Sequence, residues 1–392
     1  MLKRYLEKYI ADDLRDKMVF ISGPRQVGKT TLSMQVGDDF FENNYEYLNW
    51  DNRQDRKRIL DGMFQADKKM RIFDEIHKYK NWKGYLKGEY DKNKKAFSIL
   101  VTGSARLDIY RKGGDSLLGR YHSYRLHPLS LRELLGMDIK YTLFKGLIFL
   151  EEGKKQKEIF EKLFVFGGFP EIFIKQNERD LRRWHNERVD RLIKEDIRDI
   201  ENLRDISALQ ILVELLPKKV GSLFSLNSLC EDLKVTHKTI SAWTEILEKF
   251  YYHFRIYPFQ STVIKSLRKE PKLYLWDWSE IADESARFEN MIASHLLKFC
   301  GFLYDVEGYK AQLYYIRSVD QREVDFLVAI DGKPWFCVEV KLSDRGIAPS
   351  LKYFKEKLNI PFAYQVIKEC DVDIMKDNIR IISADKFLSS LA

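Results

Sequence analysis

Residues 23–30 read Gly23-Pro24-Arg25-Gln26-Val27-Gly28-Lys29-Thr30, the complete pattern G-x-x-x-x-G-K-[ST], set between the apolar run Met18-Val19-Phe20-Ile21 and a segment that reads as a helix. A strand, a glycine-rich turn and a helix in that order wrap successive backbone N–H groups around a phosphate chain. The pattern assigns Gly23, Pro24, Arg25, Gln26, Val27, Gly28, Lys29, Thr30 and Thr31 to a nucleoside triphosphate. Lys29 offers its ammonium to the β- and γ-phosphates, and the Thr30 hydroxyl ligates Mg²⁺. Gly23 and Gly28 suit a sharp turn that comes close to the phosphate, where a Cβ would intrude.

Strand and helix signals keep alternating beyond the loop. Tyr45–Trp50 reads as a second strand and Met70–Glu75 as a third, which ends in the adjacent carboxylates Asp74 and Glu75. This is a Walker B signature: Asp74 holds Mg²⁺ through its water shell and Glu75 polarises the attacking water. A further strand, Phe97-Ser98-Ile99-Leu100-Val101-Thr102-Gly103-Ser104, ends in small polar residues. In a parallel sheet its carboxyl end lies on the ligand edge, so Ser104 is expected at the γ-phosphate or its water. Arg120 precedes a last strand near Tyr121–Leu129. It is expected to act as an arginine finger on a neighbouring subunit's nucleotide, which implies a homo-oligomer; the competing reading is a structural ion pair.

The chain has 392 residues, enough for two or three domains, and its 45% apolar content suffices for real cores. The net charge of +8 comes with basic clusters at 179–184, 188–194 and 265–269. These fit a phosphate-rich partner such as DNA, and equally fit solvated helix faces. No apolar run reaches membrane-spanning length and the N-terminus lacks a signal peptide's apolar core, so a soluble, cytoplasmic protein without a membrane partner is expected. Cys230, Cys300, Cys337 and Cys370 are scattered without zinc spacing, which fits a reducing compartment.

The run Gly23 to Thr31, with Phe73-Asp74-Glu75-Ile76-His77-Lys78, Thr102-Gly103-Ser104, Leu117-Leu118-Gly119-Arg120 and Leu126-His127-Pro128-Leu129-Ser130-Leu131-Arg132-Glu133-Leu134, resembles the AAA-type (AAA+) ATPase domain of a prokaryotic family. Members of that family join this domain to a C-terminal domain of unknown function. The resemblance extends nearly end to end, through Gly167-Gly168-Phe169-Pro170-Glu171, Arg287-Phe288-Glu289-Asn290 and Glu323-Val324-Asp325-Phe326. It implies an AAA+ fold, ATP as the nucleotide, and Arg120 at the finger position. The chain departs from similar proteins at Ala105-Arg106, where they often carry further serines.

Residues 141–215 read as mostly helical, broken at Gly167-Gly168-Phe169-Pro170. Ser225–Leu233 and Lys238–Glu248 then read as two amphipathic helices around a Val235-Thr236-His237 turn, and the alternating Tyr251–Pro258 as a wing. This is helix-turn-helix spacing. Thr236, His237, Lys238 and Thr239 would meet DNA, whereas Glu231, Asp232, Glu245 and Glu248 oppose a phosphate backbone and favour a protein partner.

The C-terminal third carries a second constellation. Glu289 sits on an amphipathic helix, Asp325 on the strand from Glu323, and Glu339 with Lys341 on one face of the strand from Trp335, across a turn at Asp331-Gly332. That is the arrangement of PD-(D/E)XK nucleases. Glu289, Asp325 and Glu339 would bind Mg²⁺ or Mn²⁺, Lys341 would orient the attacking water, and Arg317 would contact a phosphate backbone. A cross-strand ion pair on a solvated face is the plainer alternative for Glu339 and Lys341.

The expected fold class is α/β. An AAA+ P-loop domain at 1–136 with a parallel sheet precedes a helical lid or connector at 137–216, a winged helix at 217–262 and an α/β PD-(D/E)XK nuclease-like domain at 263–392. The expected function is ATP hydrolysis that gates a metal-dependent nuclease-like domain in DNA processing or genome defence. The alternative is an ATP-dependent switch or scaffold that binds a protein partner through its winged helix, with an inactive nuclease fold.

Overall fold

The computed structural model describes residues 2–103, 117–149, 153–193, 206–260, 269–344, 346–369 and 371–392. Contacts divide the chain into two units, Met1–Pro128 and Leu129–Ala392.

In the first unit, β1 (Met18–Ser22), β2 (Tyr45–Asn49), β3 (Met70–Asp74), β4 (Ser98–Thr102) and β5 (Tyr121–Arg125) form a parallel sheet in the order β2-β3-β4-β1-β5. β1 and β3 are buried along their whole length, as strands covered on both faces must be. Their apolar side chains join a core of Phe20, Phe73, Trp82, Leu86, Ile99 and Val101, with Phe20 stacked on Tyr121 at 4.6 Å. The order has one consequence for function. β4 lies between β1 and β3 and pairs Thr102 with Ile21 on one side and Asp74 on the other. The carboxyl ends of the loop-bearing strand and the acidic strand are therefore bridged by the end of a third.

The second unit contains the helices Lys154–Phe166, Pro170–Lys175, Glu178–Arg191 and Ile206–Leu215, followed by Leu226–Leu233 and His237–Lys249. Gly167 ends the first of these with φ +74°, and a Cβ there would lie 2.7 Å from Asp277 Oδ1. Pro170 then starts the next helix at its first turn, where the missing N–H costs nothing. Leu226–Leu233 closes on Lys234 in the left-handed region, and the Thr236 hydroxyl caps the following helix by accepting from Thr239 N–H at 3.2 Å.

An eight-stranded mixed sheet follows among the described residues. Its strands are β6 (His253–Pro258), β7 (Lys272–Leu275), β8 (Ala311–Arg317), β9 (Glu323–Ile330), β10 (Lys333–Lys341), β11 (Phe362–Ile367), β12 (Asp373–Lys376) and β13 (Ile379–Ser383), in the order β12-β13-β11-β10-β9-β8-β6-β7. β8, β9 and β10 form an antiparallel meander, and β10 pairs β11 in parallel across the helix Pro349–Lys357. The antiparallel hairpin β6–β7 joins this sheet through Tyr257↔Tyr314 and Pro258↔Tyr315. The strands that follow the helix His237–Lys249 and the C-terminal strands thus belong to one continuous sheet. The long helix Glu284–Asp305 packs on it through Phe288, Met291, Ile292, Leu296 and Phe299, all buried.

Residues Leu131–Leu134, grouped with the first domain in the sequence reading, form a short helix of the second unit. Ser130 and Glu133 make a capping box, and both side chains receive the buried Lys298 ammonium, at 2.9 and 2.7 Å. The Arg132 guanidinium, 2% exposed, donates to the carbonyls of Asp138 and Ser389. The motif Ser130-Leu131-Arg132-Glu133 therefore does structural work within the second unit.

Candidate nucleotide site and candidate acidic site

The turn after β1 needs both of its glycines. Gly23 has φ +142° with the Leu126 carbonyl oxygen 2.5 Å from where a Cβ would stand, and Gly28 has φ +96° as it opens the helix Lys29–Phe40. No side chain caps that helix, which leaves its first N–H groups and the positive end of its dipole for an anion. Lys29 is buried and its ammonium donates to the carbonyls of Gly23 at 3.0 Å and Pro24 at 2.6 Å, so it lies folded against the loop.

Asp74 organises the other half of the site. Its Oδ2 accepts hydrogen bonds from the Thr30 hydroxyl at 2.9 Å and from the Tyr47 hydroxyl at 2.7 Å, and its Oδ1 accepts from the Thr102 hydroxyl at 2.6 Å. The carboxylate at the end of β3 thus gathers hydroxyls from the middle of β2, the end of β4 and the loop helix. Thr30 and Asp74, adjacent hard oxygen donors beside a phosphate-binding turn, are the residues that would hold Mg²⁺ with its nucleotide. Glu75 follows in the left-handed region, φ +58°. Burial raises its pKa above the usual carboxyl range; Lys78, 3.6 Å away, opposes that rise, and Asp74 adds to it.

Sequence reasoning missed two groups here. Thr102 takes the place beside Asp74, while Ser104, the expected γ-phosphate contact, lies outside the described residues. Arg4, 6% exposed, donates to the Val27 carbonyl at 2.7 Å and the His127 carbonyl at 2.6 Å and so supports the loop from behind. No local signal marks an N-terminal arginine for such a task. Arg4→Ala is expected to weaken ATP binding about tenfold by releasing the Val27 carbonyl, a loss typical of a charged hydrogen bond. Titration of a fluorescent ATP analogue checks this, and unaltered affinity would remove Arg4 from the site.

Arg120 stands at the amino end of β5. Because β5 runs parallel to β1, that is the sheet edge opposite the phosphate-binding turn. Its guanidinium makes a two-pronged ion pair with Asp91, at 2.8 and 3.1 Å. Within its own chain the arginine is a structural partner of Asp91, at the sheet edge away from the phosphate-binding turn.

The acidic site lies in the second unit. Glu289 comes from the helix Glu284–Asp305, Glu323 and Asp325 from one face of β9, and Glu339 and Lys341 from one face of β10. The register Val338↔Phe326, continued by one step, sets Asp325 opposite Glu339. Asp325 Oδ2 accepts from Val340 N–H at 2.9 Å, and Lys341 donates to Glu339 Oε1 at 2.7 Å. The buried Glu339 Oε2 accepts no hydrogen bond. Burial, and then the neighbouring Asp325 carboxylate, raise the pKa values of Glu289 and Glu339.

A residue that the sequence reading did not select stands among these carboxylates. Lys272, on β7 and 3% exposed, places its ammonium 2.6 Å from Glu323 Oε1, 3.4 Å from Glu289 Oε1 and 3.5 Å from Asp325 Oδ1. Burial pulls its pKa down, yet the three carboxylates outweigh burial and hold it above the ordinary lysine range, so it is charged. Tyr274, two residues on and on the same face, donates to Glu289 Oε1 at 2.7 Å. Among the described residues no group of three His, Cys, Asp or Glu side chains is placed to hold a metal ion. The set Glu289, Asp325 and Glu339, expected as metal ligands, is brought together in kind, all hard oxygen donors with one orphaned oxygen, but around an ammonium. Arg317, expected on a phosphate backbone, is paired with Glu323 at 2.9 Å. Lys238 is exposed at the start of its helix and Thr239 half-buried.

Residues 15–135 match the model of an AAA domain. The first unit is thus a P-loop domain of AAA type. Residues 157–281 and 284–387 match two domains of unknown function, DUF8612 and DUF4143; Lys272 falls in the former, and Glu289, Asp325 and Glu339 in the latter. An uncharacterized protein of Methanocaldococcus jannaschii is 24% identical over 362 residues, covering 88% of this chain and 79% of its own. An uncharacterized Mycobacterium tuberculosis protein is 22% identical over 350 residues, covering 86% and 73%. Among solved structures, the Thermotoga maritima RuvB Holliday junction branch migration motor aligns over 64% of this chain and 88% of its own, at 18% identity and a TM-score of 0.32. AMPPCP-bound DnaA from Aquifex aeolicus aligns over 62% and 86%, at 14% identity and a TM-score of 0.33. No described helix is long and apolar enough to cross a membrane.

Proposed function

We propose that this chain hydrolyses ATP with Mg²⁺ in its first unit and that its second unit is a winged helix joined to a PD-(D/E)XK nuclease-like fold that acts on DNA. The observation that carries the hydrolytic part is the Asp74 carboxylate, held by the Thr30, Tyr47 and Thr102 hydroxyls with Glu75 beside it. In this reading Lys29 turns from the loop carbonyls to the phosphates, and Glu75 takes the proton of the attacking water. Arg120 would serve a neighbouring copy's nucleotide, since its sheet edge faces away from its own loop.

The second half of the proposal is supported by the helix–meander–helix–strand order that carries Glu289, Asp325, Glu339 and Lys341, and by the helix-turn-helix followed by the β6–β7 hairpin. A bound Mg²⁺ or Mn²⁺ would neutralise charge on a phosphodiester; Lys341 would orient the water. A second reading is an ATP-dependent switch with an inactive nuclease fold, and it draws on one observation, the Lys272 ammonium amid the carboxylates.

Incubation with linear, circular and branched DNA in Mg²⁺ or Mn²⁺, with and without ATP, separates the two. Cleavage is expected, and it should fall about a hundredfold or more in Glu339→Ala and Lys341→Ala. Intact ATP turnover with no cleavage of any substrate would favour the switch.

A further inference from the structure

We propose that the Lys272 ammonium is a built-in cation holding the position a divalent ion would take at the acidic site, so that metal and Lys272 compete for the same carboxylates. This inference rests on the nuclease-like reading of that site. Its ground is the geometry: one buried ammonium within 3.5 Å of carboxylates from a helix and from a strand that both belong to the C-terminal fold. A lysine is seldom buried to this extent, and here, among the described residues, its ammonium is held by carboxylates that would otherwise repel one another, with the Tyr315 ring 5.9 Å away.

Two further observations point to a cation at this place. Among the described residues, Glu289, Glu323, Asp325 and Glu339 face the cationic Lys272, Lys341 and Arg317, one more carboxylate than cations. The buried Glu339 Oε2 also lacks any donor, a desolvation cost that a cation would relieve.

The origin of Lys272 gives the competition its meaning. It comes from β7, the second strand of the hairpin that follows the helix-turn-helix, and β7 also supplies the Tyr274 hydroxyl to Glu289. Gly221, bridged to this strand through Val220↔Leu273, approaches Glu289 so closely that a Cβ would sit 3.1 Å from Oε2, with φ +72°. The helix-turn-helix side of the unit thus closes the acidic site with its own positive charge.

The test is Mn²⁺ binding to the full-length, nucleotide-free protein, followed by calorimetry and by the electron paramagnetic resonance of bound Mn²⁺. Lys272→Met should bind Mn²⁺ about tenfold or more tighter than the wild type, Lys272→Arg should show no gain, and Asp325→Asn in the Lys272→Met background should abolish it. Equal Mn²⁺ affinity in wild type and Lys272→Met, lost in both with Asp325→Asn, would overturn the competition while the metal site stands. Absence of Asp325-dependent binding in every variant would overturn the metal reading and the inference with it. If Lys272→Met unfolds, recovery of its unfolding transition on Mn²⁺ addition supports the proposal, and failure of Mn²⁺ to restore it counts against.

Discussion

Glu75→Gln is expected to bind ATP as the wild type does while its turnover falls about a hundredfold or more, the scale of a lost general base. The substitution keeps the size and the left-handed backbone of the position, φ +58°, and leaves the hydroxyl triad on Asp74 in place. Binding should therefore survive. What disappears is a carboxylate that partial burial has already made more basic than usual, directly after Asp74. Lys29→Ala gives the opposite pattern, since the ammonium contributes to binding itself and its loss should reduce affinity as well as turnover. Phosphate release measured beside equilibrium ATP binding distinguishes the two, and Glu75→Gln turnover within about threefold of wild type would leave the hydrolytic water without this base.

Lys298→Met should cost the second unit about 3–5 kcal/mol, because it removes one partner of a fully buried ion pair and strands the other. Both side chains are 2% exposed, and Lys298 donates to Glu133 at 2.7 Å and to Ser130 Oγ at 2.9 Å. Glu133 would be left as a desolvated carboxylate at the start of the helix Leu131–Leu134, with its capping box as the main remaining support. The double change Lys298→Met with Glu133→Gln removes both charges and should recover most of the loss. Chemical denaturation of the three proteins provides the comparison. A single variant no less stable than the double would show that the buried charge is solvated by some other route.

The first unit was legible because its signals are local. Strand, glycine turn and helix at 18–30 carry their own periodicity and backbone requirements, and the structure places β1, β2 and β3 within a residue of the expected runs. The match of residues 15–135 to an AAA domain agrees with the resemblance carried by the loop and Asp74-Glu75. Strand order was not legible. That β4 lies between β1 and β3 is a long-range pairing, and it alone brings Thr102 to Asp74. The same limit applies to Arg4, which is separated from its partner His127 by nearly the whole first unit.

In the second unit the helix-turn-helix spacing and the hairpin Glu323–Lys341 could be read from periodicity, but not the sheet that unites them. Lys272 shows why. In sequence it is one more basic residue after Lys269, in a chain rich in them, and only the parallel pairing of β6 with β8 carries β7 toward Glu289 and Asp325. Lys298 likewise reads as the polar member of an amphipathic helix, and burial against Ser130 and Glu133 makes it an internal cation.

By itself, then, the sequence determined the phosphate-binding turn, the acidic strand end and the alternation of elements, since each depends on backbone and side-chain preferences within a few residues. Only the tertiary structure decided which hydroxyls gather on Asp74, that Arg120 is engaged by Asp91, and that an ammonium stands among the carboxylates of the second unit. Those outcomes turn on contacts between residues far apart in the chain, where charge and burial acquire their effect only once the sheets have formed.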